Sequence, residues 1–355
     1  MAYMKRDYNY GVALLRILLC VLVVVFHTLH WNEYDSWIFK LLYKWSFVPV
    51  PVFMMTSFYF LNLPNTLHSN RLIQDRLHRL LLPNMIWAIV YFLVYFCLDS
   101  FLGGSYLHGP FDLLWQFLFG HVYNKTLWFQ IDLVVLTFIF FVFFYFSNQI
   151  GMVISSVLSI FCLVLQFMDL HHCVITSINW PSLVFNHYFN PSYVINPLGR
   201  LFEMFPYCAI GTFLSSQSIV LKNLKKYKFL FLILILLFTI STLFFRSNID
   251  CPLGFSYSGI FLIIMSLNTF LFFFAIPNTV FLNNTKPYIR FLSERTMGVY
   301  FIHRLVDSLL NVSHFCMKTS IKEGSLVYSL CVVIFSFVTV SLIKLMPIKM
   351  IRESV

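Results

Sequence analysis

An all-α membrane protein with about ten transmembrane helices is the fold class that this sequence predicts, and three observations predict it. The 355 residues are 59% hydrophobic and only 11% charged, with a mean hydropathy of +0.80, whereas soluble domains carry about 25% charged residues. The apolar residues are gathered into runs long enough to cross a bilayer as helices, which takes about 20 residues. Of the 24 Lys and Arg, fifteen fall on the side of these runs that holds the N-terminus, seven on the opposite side, and Arg16 and Arg304 within runs. That excess places both termini in the cytoplasm. It also makes the net charge of +10 an orientation signal, so nucleic acid is not an expected partner.

The predicted spans lie at about 10–31, 45–63, 81–101, 127–147, 151–168, 201–216, 229–246, 258–276, 297–314 and 324–345. The first is too long for a signal peptide and is followed by no small-residue cleavage site, so it reads as a retained helix. Spans four and five are joined by little more than 148–150, and the sixth is short and interrupted by Pro206. Residues 1–355 read as one transmembrane domain with no appended soluble domain. Three stretches between spans are distinctive: a basic inner connection at 64–80, a long outer segment at 169–199, and the lysines from Lys222 to Lys228, read as a topology or anionic-lipid signal. The eight cysteines are scattered singly, which gives no zinc spacing and no disulfide framework, although Cys173 and Cys251 share the outer side. His171 and His172 lack a third and fourth ligand at suitable spacing, so no metal is expected.

The first span carries the strongest chemical signal. Arg16 and His27 interrupt an otherwise apolar run from Tyr10 to Trp31. A charged side chain at mid-span costs about 2.5–3.5 kcal/mol on insertion scales, so such residues are usually paired, turned towards a cavity and functional. Eleven residues are close to three helical turns, which puts both side chains on one face, about 16 Å apart along the axis. One face thus offers a permanent cation at one depth and a titratable base at another. Singly, each has an ordinary reading: the Arg snorkels, or the His bonds a neighbouring helix. Arg76 and Arg79, three apart at the inner mouth of the third span, present two guanidinium groups suited to phosphate oxygens. Inner-face topology alone would also explain two basic residues there.

Taken together, these residues resemble the integral-membrane acyltransferase family 3, bacterial O-acyltransferases that modify surface glycans and related acceptors. The first-helix R-x10-H pattern is similar to Arg16 and His27, and an R-x-x-R motif followed by Leu and Pro is similar to Arg76, Arg79 and Pro83. The apolar end of the second span resembles V-P-V-F-M-M-T-S-F, and the L-W-F opening of the fourth resembles Leu127 to Phe129. Arg200, Glu203, Gly211 and Leu214 match an R-x-x-E…G-x-x-L segment, and Ser293, Gly298, Tyr300 and His303 match a closing S…G-x-Y-x-x-H. The chain departs from the family at Ala13, where Asp is common, at Ile17, where Gly often follows the Arg, and at Phe58, where Gly follows the Ser.

The resemblance implies transfer of an acyl group, acetyl by default, from cytoplasmic acyl-CoA to a hydroxyl of a surface polysaccharide or lipid-linked glycan, in a bacterial cytoplasmic membrane. His27 would be the general base, Arg16 would either orient it through a bridging group or hold part of the CoA, and Arg76 and Arg79 would hold the CoA phosphates. Tyr300, His303, Arg200, Glu203 and Trp128 are candidates to line the site. Taken alone, Trp128 reads as an interfacial anchor. Tyr300 and His303, three apart, are expected to partner each other. Acyl-CoA is the expected co-substrate, with no metal, and membrane lipids and a glycan acceptor are the expected partners. A transporter or flippase of lipid-linked glycan would explain intramembrane charge equally well, but not R-x-x-R before Pro or the late G-x-Y-x-x-H.

Overall fold

A computed structural model describes residues 8–30, 37–61, 70–102, 127–167, 197–217, 221, 223, 225–244, 260–312 and 321–346. Among them the chain is helical and contains no strand. The helices are α1 (Tyr10–Thr28), α2 (Trp37–Trp45), α3 (Pro49–Leu61), α4 (Asn70–Leu102), α5 (Trp128–Phe146), α6 (Asn148–Phe167) and α7 (Pro197–Ser216). They continue with α8 (Lys228–Phe244), α9 (Ile260–Ala275), α10 (Lys286–Ser293), α11 (Thr296–Val312) and α12 (Leu326–Leu345). Five segments are long and apolar enough to cross a membrane: Tyr10–Thr28, Trp37–Leu61, Gln74–Cys97, Trp128–Tyr145 and Leu326–Leu345. Three shorter apolar helices, Asn148–Val164, Lys228–Ile240 and Ile260–Ala275, stand where further spans are predicted. Their outer faces are apolar: Val153, Val157, Ile160 and Val164 of α6 are all exposed, a helical stripe that water would penalise and lipid accepts. The protein is an all-α, multi-pass membrane protein.

The second apolar segment starts earlier than predicted. Residues 37–45 form α2 and turns follow over 46–48, so the apolar pattern continues through a break ahead of Pro49, the first residue of α3, where a missing N–H costs nothing. Helix α4 takes in the R-x-x-R stretch and passes through Pro83. Ser147, in extended conformation, is all that separates α5 from α6. The short α10 has no counterpart among the predicted spans, because eight residues with two cations carry no span signal. The outer segment 169–196, with His171, His172 and Cys173, lies outside the described residues, as does Cys251.

The chain divides into two compact units. One comprises Met1–Pro49, Ile219–Phe245 and Met265–Val355, the other Val50–Ser218 and Arg246–Ile264. In the first, α1 packs against α10, α11 and α12, α11 packs on α12, and α2 packs on α8. In the second, α4 packs on α5, α5 on α6, and α7 on both α5 and α6.

Both ends of α1 are fixed by side chains. At the start, Asn9 Oδ1 accepts from the Val12 N–H (3.0 Å), which caps the helix, while its amide nitrogen donates to the Phe274 carbonyl (3.3 Å). Asn278 returns the contact, accepting from the Tyr10 N–H (3.1 Å) and donating to the Tyr8 carbonyl (2.8 Å). Gly11 is needed here, because a Cβ would strike the Phe273 carbonyl. At the far end, Arg304 Nη1 donates to the His27 carbonyl (2.9 Å), a cation at a helix C-terminus. The His30 N–H donates to the Gly324 carbonyl (3.0 Å). Gly324 has φ +71°, and a Cβ there would strike the His30 ring.

Candidate functional site

In the first unit α11 lies along the Arg16–His27 face of α1. Arg16 Nη2 donates to Thr296 Oγ1 (3.3 Å), and Cys20, one turn on, meets the Thr296 carbonyl through its sulfur (3.5 Å). At the other end the His27 ring stacks on that of His303, with centroids 5.5 Å apart and planes inclined by 29°. The contacts advance in the same direction along both helices, so α1 and α11 run parallel. Arg16 and His27 therefore share one face, as their spacing predicts, and that face is covered by a helix rather than by lipid alone. Both side chains are half-buried.

Beyond His27 the polar contacts continue along α11 and onto α12. Arg304, besides its bond to the His27 carbonyl, pairs with Asp307 Oδ2 (3.2 Å). The Tyr328 hydroxyl of α12 lies 2.8 Å from both Asp307 Oδ1 and Asn311 Oδ1. One hydroxyl has one proton, so it donates to only one of them at a time. Where the spacing predicts that the Tyr300 hydroxyl and the His303 ring partner each other, the contact described is a different one: His303 Nδ1 bonds the Tyr300 main-chain carbonyl (2.8 Å), and the two rings lie 6.2 Å apart. A ring on a helix reaches the carbonyls three and four residues back more readily than a phenol on its own face.

The end of this unit near Arg16, opposite His27, is basic. Lys344 Nζ donates to the Glu294 carbonyl (2.8 Å), and Arg295 bonds Ser341 Oγ (3.0 Å). Arg290 Nε bonds Glu294 Oε1 (2.8 Å), and that hydrogen bond raises Arg290 above its ordinary pKa.

The second unit holds the other candidates. Arg76 on α4 donates through Nη2 to Ser57 Oγ on α3, and its Nε is buried with no hydrogen-bond partner among the described residues. Arg79 is exposed and bonds the Asp75 carbonyl of its own helix (3.1 Å). The two guanidinium groups thus differ: one is tied into the bundle through the serine of the second-span motif, and the other is open to solvent. Arg200, 1% exposed, makes a two-point pair with Asp132 on α5, Nη2 to Oδ1 at 3.3 Å and Nε to Oδ2 at 3.2 Å. Its guanidinium carbon lies 5.0 Å from the centre of the Trp128 ring, a cation–π contact. Trp128, which alone reads as an interfacial anchor, has its ring against this ion pair. Glu203, one turn along α7, is buried, and its Oε2 has no hydrogen-bond partner among the described residues. Gln130 Nε2 donates to the Leu80 carbonyl (3.1 Å), tying α5 to α4. Gly211 fits its motif position physically, since a Cβ there would strike the Met55 carbonyl of α3.

The predicted residues therefore gather in two places: Arg16, His27, Tyr300 and His303 in one unit, and Arg76, Arg79, Trp128, Arg200 and Glu203 in the other. Asp132, Thr296 and Arg304 were not predicted. Asp132 had a signal, a carboxylate inside an apolar run; Thr296 had none. Among the described residues no cluster of His, Cys, Asp and Glu could hold a metal ion.

An all-α membrane bundle with an Arg and a His on one helix face, backed by a second His, defines a multi-pass membrane protein with polar groups set into its first helix. A family model described as an acyltransferase domain matches residues 9–345, and the chain belongs to that family of membrane acyltransferases. No curated protein and no solved structure matches it.

Proposed function

We propose that the protein moves an acyl group, acetyl by default, from cytoplasmic acyl-CoA to a hydroxyl of a surface polysaccharide or lipid-linked glycan, in a bacterial cytoplasmic membrane. The observation that carries this reading is the placement of His27, on the Arg16 face of α1 and stacked against His303, within an acyltransferase domain. His27 takes the proton of the attacking hydroxyl, for which imidazole titrates in the right range. The oxygen–acyl bond forms, the carbon–sulfur bond of the thioester breaks, and His27 passes the proton to the departing CoA thiolate. Exclusion of bulk water disfavours hydrolysis. Arg16 holds the inner end of the face, its guanidinium anchored by Thr296.

Arg76 and Arg79 are assigned to the donor's phosphates, at the inner mouth that the Lys and Arg distribution places in the cytoplasm. The exposure of Arg79 and the spare buried Nε of Arg76 support that assignment.

The test is mass spectrometry of surface glycans and lipids from cells with and without the protein. An acyl mass should disappear when it is absent. His27→Ala, produced and inserted at wild-type level, should give the same loss. Retained acylation by that variant removes His27 as the base.

A further inference from the structure

His303 has spent only half of its hydrogen-bonding capacity. The residue is fully buried, and its Nδ1 lies 2.8 Å from the Tyr300 carbonyl oxygen and 3.2 Å from that of Val299. Carbonyl oxygens only accept, so Nδ1 carries the proton and Nε2 holds a lone pair. That Nε2 is buried and has no hydrogen-bond partner among the described residues. A buried acceptor left unpaired is costly, and an apolar side chain at that position would avoid the cost. The ring beside it is that of His27, 5.5 Å away and nearly parallel.

We infer that His303 binds the alcohol acceptor. Its Nε2 accepts a hydrogen bond from a second hydroxyl of that acceptor, adjacent to the one whose proton His27 takes. The substrate class is then a vicinal diol, as on a sugar ring, rather than an isolated alcohol. This rests on the reading of His27 as the base. The two imidazoles divide the work. His27 is half-buried and exchanges a proton during the reaction. His303 is clamped by main-chain carbonyls and precedes Arg304, whose guanidinium would oppose a second cation there. A site that hydrogen-bonds a substrate hydroxyl also discriminates strongly against analogues lacking it, because its buried acceptor would stay unpaired.

The ordinary alternative is that His303 only fills space between helices, and two substitutions separate the readings. Transfer is followed in native membranes from cells producing the protein, with radiolabelled acetyl-CoA as donor and the resident lipids and glycans as acceptors. His303→Phe keeps a ring but no acceptor, and should lower transfer by about tenfold or more without changing the melting shift that acetyl-CoA produces. His303→Gln loses the ring but keeps an oxygen within reach of the Nε2 position, and should stay within about threefold of wild type. Packing alone predicts the opposite order, so Phe at or above Gln overturns the proposal. If neither variant inserts, nitrogen NMR of the wild-type protein in lipid nanodiscs decides. Nε2 unprotonated and Nδ1 protonated is the expected state; a proton on Nε2 overturns it. The acylated product should carry its ester beside another hydroxyl-bearing carbon, and an acylated alcohol with no such neighbour also overturns it. Activity of His27→Ala would bring down the base assignment and this inference together. An inactive His27→Ala beside a fully active His303→Phe would remove only the role of His303.

Discussion

Arg200 shows most plainly what a single residue does in this bundle. The burial of a guanidinium that is 1% exposed is offset by Asp132, which meets it at two points, and by Trp128, which lies against it. Removing one partner of such a pair leaves an uncompensated charge, which costs about 3–5 kcal/mol. Asp132→Ala should therefore lower the melting temperature in detergent sharply. Replacing both partners with apolar side chains, Asp132→Leu with Arg200→Met, should recover much of the loss. If the double variant is no more stable than the single one, the pair has a role beyond mutual neutralisation. Arg200 was legible in the sequence through its motif, whereas Asp132 was visible only as a carboxylate in an apolar run. Which cation it meets, 68 residues away, depends on how α5 and α7 pack.

At the scale of elements, close helix contacts rest on glycines. Gly211 brings α7 against the Met55 carbonyl of α3, and Gly11 brings α1 against the Phe273 carbonyl of α9. Gly→Ala in an open helical position gains up to about 1 kcal/mol from propensity. Here the added methyl meets main chain, which cannot turn aside as a flexible side chain can, and overpacking of this kind costs about 1–3 kcal/mol. Steric cost wins, so Gly211→Ala should lower the melting temperature; a rise would mean that α7 can back away from α3 freely. Hydropathy located the apolar helices but not their ends. The apolar pattern runs across the break at 46–48 and into α2. The cationic α10 carries no span signal at all and is held in place by its packing against α1.

For the molecule as a whole, the proposed donor site at Arg76 and Arg79 offers the most direct measurement. A ligand that binds only the folded state stabilises it by about 2.7 kcal/mol at a hundredfold excess over its dissociation constant. Acetyl-CoA should accordingly raise the melting temperature of the purified protein. The Arg76→Ala, Arg79→Ala double variant should lose most of that rise while keeping its unliganded melting temperature within a few degrees, because Arg79 is exposed and Arg76 bonds a half-buried serine. An unchanged shift would return both residues to the role of orientation signals.

By itself the sequence determined the class: apolar runs of bilayer length, cations gathered on one side, and two polar residues on one helical face leave little besides a multi-pass membrane protein. Those properties are local, set by period, length and charge, and need no partner to be read. Tertiary structure decided which helix covers that face and which side chains answer each other. The pairing of Arg16 with Thr296, of His27 with His303 and of Arg200 with Asp132 joins residues far apart in the chain. Between helices in lipid, association follows from close packing and from satisfying buried polar groups, and neither leaves a periodic trace in the sequence.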